Sequence, residues 1–174
     1  MTDLAENLAT IADVTAEAGP RQKRLALVAS KGTLDAAYPP LILATTAASL
    51  GWEVGIYFTF YGLDILHESR HRKLKMASLA NPSGPIRLPN FIGAIPGATA
   101  AATMVMKRWM KRSRMPDVAE FIEMSQGLGV TFFACATTMG VMGVEEGDLI
   151  AGCDVAGAAK FLDFAGEADV QLFV

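Results

Sequence analysis

Apolar and polar positions fall along the chain in blocks that predict strands alternating with helices. Residues 25–29 (Leu-Ala-Leu-Val-Ala) are a short continuous apolar run, the pattern of a strand buried on both faces. The loop Ser30-Lys31-Gly32-Thr33 leads into helical periodicity over 35–50, with Gly51 just past its end. Residues 53–60 are rich in β-branched and aromatic side chains and predict a second strand, ended by Gly62. A more polar helix is expected over 63–76, carrying His67, Arg70, His71, Arg72, Lys73 and Lys75. Residues 81–96 hold Pro82, Pro85, Pro89 and Pro96 and read as irregular. Helices are expected over 97–112, rich in Ala and Met, and over 116–128, with Pro116 in the first turn. Residues 130–134 (Val-Thr-Phe-Phe-Ala) predict the third strand, and 137–144 a short helix or tight loop. A brief strand over 148–152, a helix over 155–165 and a final strand over 169–174 complete the pattern. At the start, Leu4, Leu8, Ile11 and Thr15 recur at helical spacing until Gly19-Pro20.

This alternation implies an α/β fold: a single domain with a doubly wound, mainly parallel sheet and helices on both faces. Residues 1–20 read as an acidic N-terminal arm or helix, and 21–174 as the α/β domain. Ligands of such sheets bind beyond the carboxyl ends of the strands. Two loops therefore matter, 30–33 after the first strand and the turn that begins at Cys135 after the third.

Composition narrows the class. The 174 residues suit one domain, and 52% hydrophobic content supplies enough apolar surface to exclude general disorder. A mean hydropathy of +0.32 is high for a small soluble monomer, so a subunit interface or a membrane should absorb the excess. The longest charge-free apolar run, 91–106, is 16 residues and contains Pro96. A spanning helix needs about 20 apolar residues, so a simple transmembrane segment is not expected. The acidic N-terminus lacks the basic region of a signal peptide. Two cysteines without an export signal point to a cytoplasmic setting with reduced thiols. A formal net charge of −3 argues against general nucleic-acid binding.

Cys135 is the candidate nucleophile. It directly follows a buried strand, and if Thr137 opens a helical turn, free backbone N–H groups face the sulfur and favour a thiolate. The alternative is an inert cysteine packed as a small hydrophobe. Cys153 is a candidate second thiol that resolves a loaded Cys135 if the two loops converge. Asp64, His67 and His71 would share a helical face and could bind zinc, but a solvated polar face is the stronger reading and no metal is expected. The loop at Lys31 and Gly32 lacks both common phosphate-binding glycine patterns, and no GxSxG elbow is present. Lys107, Arg108, Lys111, Arg112 and Arg114 put five cations within eight residues. This patch is a solvated helix end, a dock for an acidic protein, or a peripheral contact with anionic lipid.

Several of these segments carry a family resemblance. Gly32-Thr33-Leu34-Asp35-Ala36-Ala37, Gly51-Trp52-Glu53-Val54 and Phe58-Thr59-Phe60-Tyr61-Gly62-Leu63 resemble the first half of the DsrE/DsrF/DsrH-like proteins. Ala134-Cys135, Thr138-Met139, Val141-Met142-Gly143, Asp148-Leu149-Ile150 and residues 168–174 resemble the second half, and the match is nearest to the DsrE2-type branch, sometimes labelled peroxiredoxin-like. The resemblance covers nearly all of residues 25–174 and implies a doubly wound domain that assembles into trimers or hexamers. It also implies a cytoplasmic sulfur carrier or sulfurtransferase without a cofactor, in which Cys135 receives sulfane sulfur from one small carrier protein and passes it to another. Larger members of the branch have membrane-spanning extensions, and this chain resembles the form without them. On this reading Thr137, Thr138, Lys31 and Gly32 are the candidate groups that stabilise the charged sulfur, and the basic patch at Lys107–Arg114 receives the partner. A non-catalytic oligomeric scaffold and a thiol peroxidase are the competing readings.

Overall fold

The computed structural model of the protein describes residues 21–77 and 97–174. The helix expected over 1–19, the irregular stretch 81–96 and the start of the apolar run 91–106 lie outside the described residues. Five strands form one sheet: β1 (Arg24–Ala29), β2 (Glu53–Phe58), β3 (Thr131–Cys135), β4 (Cys153–Ala156) and β5 (Val170–Phe173). Their order is β4-β3-β2-β1-β5 and every pairing is parallel. Among the described residues six α-helices accompany them: α1 (Leu34–Ser49), α2 (Leu63–Leu66), α3 (Ala98–Arg112), α4 (Val118–Gly127), α5 (Ala136–Met142) and α6 (Ala158–Gly166). The chain steps from β1 to β4 in one direction, then returns across the sheet to β5. Parallel crossovers keep one hand, so this reversal moves the connecting helix to the opposite face.

Side-chain alternation along the strands divides the core in two. Leu25, Leu27, Ile56, Phe58, Phe132 and Ala134 face α1 and α4, where they meet Leu41, Phe121 and Ile122. Ala26, Tyr57, Phe133, Cys135 and Ala156 face α6, where Phe161 and Ala165 cover them. Tyr57 stacks on Phe161 at 4.7 Å between ring centroids. The expected doubly wound parallel sheet is therefore present, with two major helices on one face and one on the other.

Four local expectations are corrected. The helix expected over 63–76 stops at Leu66. Beyond it the backbone pairs with a distant segment: His67 bridges Leu149, Glu68 N–H donates to the Asp148 carbonyl, and Ile150 N–H donates to the Leu66 carbonyl. These non-local bonds replace the next helical turn, and only a short 3-10 turn follows at His71–Lys73. The brief strand expected over 148–152 is that bridge, preceded by a 3-10 turn at Glu146–Asp148. The helix expected from residue 155 begins at Ala158, because Val155 and Ala156 belong to β4. Pro116 also lies outside α4, whose start is the capping box formed by Asp117 and Glu120.

Close backbone approach shapes the carboxyl edge. The segment after β2 crosses the loop after β1 so tightly that a Cβ on Gly32 would lie 2.1 Å from the Tyr61 carbonyl oxygen. A Cβ on Gly62 would lie 2.2 Å from the Ala29 carbonyl oxygen. Glycine is the residue that permits both contacts.

Candidate functional site

Cys135 ends β3 and is itself the N-cap of α5. The helix thus opens at Ala136, one residue before the Thr137 start anticipated above. The sulfur points to the α6 face and is only 6% exposed. It is covered by immediate neighbours and sits at the carboxyl end of β3. Two donors from one residue reach it: the Thr138 hydroxyl at 3.2 Å and the Thr138 N–H at 3.4 Å. Because α5 has seven residues, these individual donors, rather than a long helix dipole, set the local field.

The Thr138 hydroxyl has further partners. Its oxygen is 3.0 Å from the Thr59 hydroxyl and accepts the Phe60 N–H at 3.3 Å. Thr59 follows β2, and the register that places Phe58 opposite Ala134 places Thr59 beside Cys135. Phe60 adopts a left-handed backbone (φ 47), uncommon for a bulky residue. Tyr57 sits on the same face of β2 as Thr59 and faces the sulfur without a hydrogen bond of standard geometry.

Burial pushes the Cys135 thiol up, but the Thr138 hydroxyl, Tyr57, the Thr138 N–H and Thr59 outweigh it and leave the thiol below its ordinary value. Tyr57 shifts oppositely: burial first, then the neighbouring sulfur, hold its phenol protonated far above the usual range. The result is a thiol biased toward its thiolate form, the form that attacks an electrophilic sulfur.

The other sequence candidates fall elsewhere. Cys153 opens β4 opposite Phe132, while Cys135 lies opposite Ala156. The two cysteines are therefore three residues apart along the strands, about 10 Å, and their side chains point to opposite faces of the sheet. The chain does not bring these thiols together, and burial pushes Cys153 up to about 12. Thr137 is exposed and makes no bond to the sulfur, whereas Thr138 makes two. Gly32 serves the backbone crossing, and Lys31 is exposed with no bond to the sulfur. The first amide of α1, Leu34 N–H, is already taken by the Lys75 carbonyl.

His67 and His71 are not on a solvated helix face, since both are buried. His71 Nδ1 bonds the His67 carbonyl at 3.0 Å, and Asp64 pairs with Arg70 at 2.8 Å. Among the described residues no cluster of three or more His, Cys, Asp or Glu is arranged to hold a metal ion. Lys107, Arg108, Lys111 and Arg112 lie exposed on α3, a helix that buries no side chain, with Arg114 exposed just beyond it. A cleft of about 890 Å³ lies against this patch, between Lys107 and Lys111 on one side and Tyr38, His71, Asp117 and Glu120 on the other. It is on the α1–α4 side of the sheet, so this cleft and the Cys135 sulfur occupy opposite faces.

Reasoning from sequence missed Tyr57 and Thr59. The rule that ligands gather beyond the carboxyl ends of strands applied to β2 as it did to β1 and β3. No helix among the described residues is long and apolar enough to cross a membrane.

Comparison with known proteins gives the family. The chain is 40% identical over 159 residues to the protein named sulfur carrier protein DsrE2 of Allochromatium vinosum, covering 88% of this chain and 99% of the relative. It is 32% identical over 162 residues to the uncharacterized protein YrkE of Bacillus subtilis, covering 87% and 97%. The crystal structure of the ychN protein from E. coli shares the fold, with a TM-score of 0.54 at 12% identity over 88% of this chain and all of that one. The family model for the DsrE/DsrF/DrsH-like family matches residues 21–173, and the chain belongs to that family, in its DsrE2-type branch.

Proposed function

We propose that this protein is a sulfur carrier whose Cys135 accepts sulfane sulfur from one small carrier protein and delivers it to another. The observation that carries the reading is the Cys135 sulfur held by two donors of Thr138, at 3.2 and 3.4 Å, in a shell that favours the thiolate. The likeness to a named sulfur carrier supports the sulfur-trafficking role. The step balances without an oxidant or a metal. The Cys135 thiolate attacks the outer sulfur of a donor persulfide, one S–S bond forms, the donor S–S bond breaks, and the donor thiolate leaves. Delivery is the same exchange in reverse order, with an acceptor thiolate attacking the outer sulfur and Cys135 leaving as thiolate. A stabilised thiolate is both an adequate nucleophile and a good leaving group, which suits a group that must load and unload.

Partner docking is assigned to Lys107, Arg108, Lys111, Arg112 and Arg114, exposed cations on an acidic protein. They lie where α3 leads into α4, on the carboxyl side of the sheet, and would steer an acidic carrier toward that edge. Self-association into trimers or hexamers would cover exposed Phe60, Tyr61, Leu172 and Phe173. Light scattering that gives a monomer at micromolar concentration overturns the assembly. The test of the carrier role itself is delivery: persulfide-loaded protein, freed of donor, is mixed with a small acceptor carrier. Appearance of sulfur on the acceptor with matching loss from this protein is expected, and stable retention of the sulfur would overturn the role.

A further inference from the structure

A hydroxyl group has one proton and two lone pairs. The Thr138 hydroxyl has three neighbours: the Cys135 sulfur at 3.2 Å, the Thr59 hydroxyl at 3.0 Å and the Phe60 N–H at 3.3 Å. The Phe60 N–H can only donate, so it occupies one lone pair. A thiolate can only accept, so it claims the proton. The remaining lone pair then needs a donor, and the Thr59 hydroxyl is in place to supply it. Thr59 Oγ1 makes no other hydrogen bond of standard geometry among the described residues, although it too faces the sulfur. The left-handed backbone at Phe60 keeps its N–H on the same oxygen.

From this arrangement we infer that Thr59 is a positioning residue for the Cys135 sulfur, turning the single proton of Thr138 onto the thiolate. The inference rests on the reading of Cys135 as the sulfur-accepting thiolate. Hydrogen bonds in a chain polarise one another, so the Thr59 bond strengthens the bond from Thr138 to sulfur. The chain also reverses. When the sulfur is protonated, its S–H can donate to Thr138 and the Thr138 proton turns to Thr59. Both protonation states of the unloaded thiol therefore keep their partners.

Other titratable groups leave this role to the hydroxyls. Tyr57, from β2, faces the sulfur and stays a neutral phenol. Asp154 of β4 is paired with Lys160 of α6 at 2.6 Å, and Asp163 of α6 is exposed. Helix α5 carries no titratable side chain, and Arg24 of β1 is engaged with Glu53 and Glu167 at the amino end of the strands.

The test measures the rate of iodoacetamide alkylation against pH in protein carrying Cys153→Ala, so that Cys135 is the thiol followed. Thr59→Val, which removes the hydroxyl and keeps the shape, should raise the midpoint by about 0.1–0.3 pH unit. Thr59→Ser should restore the original midpoint, and Thr138→Val, which removes the direct bond, should raise it by about one unit. Should valine prevent folding, Thr59→Ala reads the same quantity. A midpoint unmoved by loss of the Thr59 hydroxyl while Thr138→Val shifts it overturns the inference alone. A shift that Thr59→Ser does not restore also overturns it, because packing is then responsible, and so does a further shift when Thr59→Val is added to Thr138→Val, because Thr59 then acts on the sulfur directly and not through Thr138. If Thr138→Val also leaves the midpoint unmoved, the underlying thiolate reading fails with it.

Discussion

Thr138→Val tests the physical basis of the site because it removes the hydroxyl that bonds the sulfur, along with that hydroxyl's bonds to Thr59 and the Phe60 N–H, while keeping the side-chain shape. Threonine and valine share a shape, and residue 138 is buried, so the substitution fills the same space. What disappears is the hydroxyl donor 3.2 Å from the Cys135 sulfur, while the residue's own N–H at 3.4 Å remains. A hydrogen bond to a charged group contributes about 1.5–3 kcal/mol, and one pKa unit corresponds to about 1.4 kcal/mol. The sulfur is a weak acceptor, which places the loss at the low end of that range. The midpoint of thiolate formation should therefore rise by about one pH unit. The sign follows from the depressed thiol. Wild-type protein gains stability from this group above the unfolded thiol's pKa and loses it as pH falls through the lower folded value. The substitution narrows that window from below. Alkylation rates follow thiolate fraction, so a series from about pH 6 to about pH 10 reports the midpoint directly. Thr138→Val should react more slowly near neutrality and at a similar rate at the alkaline end. An unchanged midpoint would refute the claim that hydrogen bonding by Thr138 poises the thiol.

Four further outcomes are expected. Cys153, pushed up to about 12, should stay unalkylated at a mildly alkaline pH where Cys135 reacts, as peptide mapping will show. Its unfolded-state thiol ionises while the folded one does not, so wild-type stability should fall as pH rises from about 9 toward 12, and Cys153→Ala should remove that part of the slope in denaturant titrations. Gly62→Ala forces a methyl group against the Ala29 carbonyl and should cost about 1–3 kcal/mol in urea unfolding, whereas an unchanged urea midpoint would contradict the tight crossing. Replacing Lys111 and Arg112 with Glu should slow transfer between proteins and flatten its salt dependence while leaving loading by inorganic polysulfide intact; equal transfer rates would reduce the patch to a solvated helix end.

The sequence made most of the sheet legible because β1, β2 and β3 are apolar runs that can only be strands buried on both faces. β4 was not legible. Cys153-Asp154-Val155-Ala156 is four residues of mixed polarity, and its pairing with β3 gives it an extended form that local propensity does not. The helix expected past Leu66 failed for a similar reason, since its continuation is replaced by bonds to Asp148 and Ile150 some 80 residues later. Burial of His67 and His71 follows from that same bridge. At the site, Cys135 was found by its place after a strand, and Thr138 by its nearness in sequence. Thr59 and Tyr57 reach the sulfur through strand register, which no local pattern encodes.

Cys135 as the atom that carries sulfur is the central claim, and intact-mass analysis after exposure to inorganic polysulfide tests it most directly. Wild type and Cys153→Ser should each gain sulfur, while Cys135→Ser should gain none. Loading of Cys135→Ser to the wild-type stoichiometry would contradict the account.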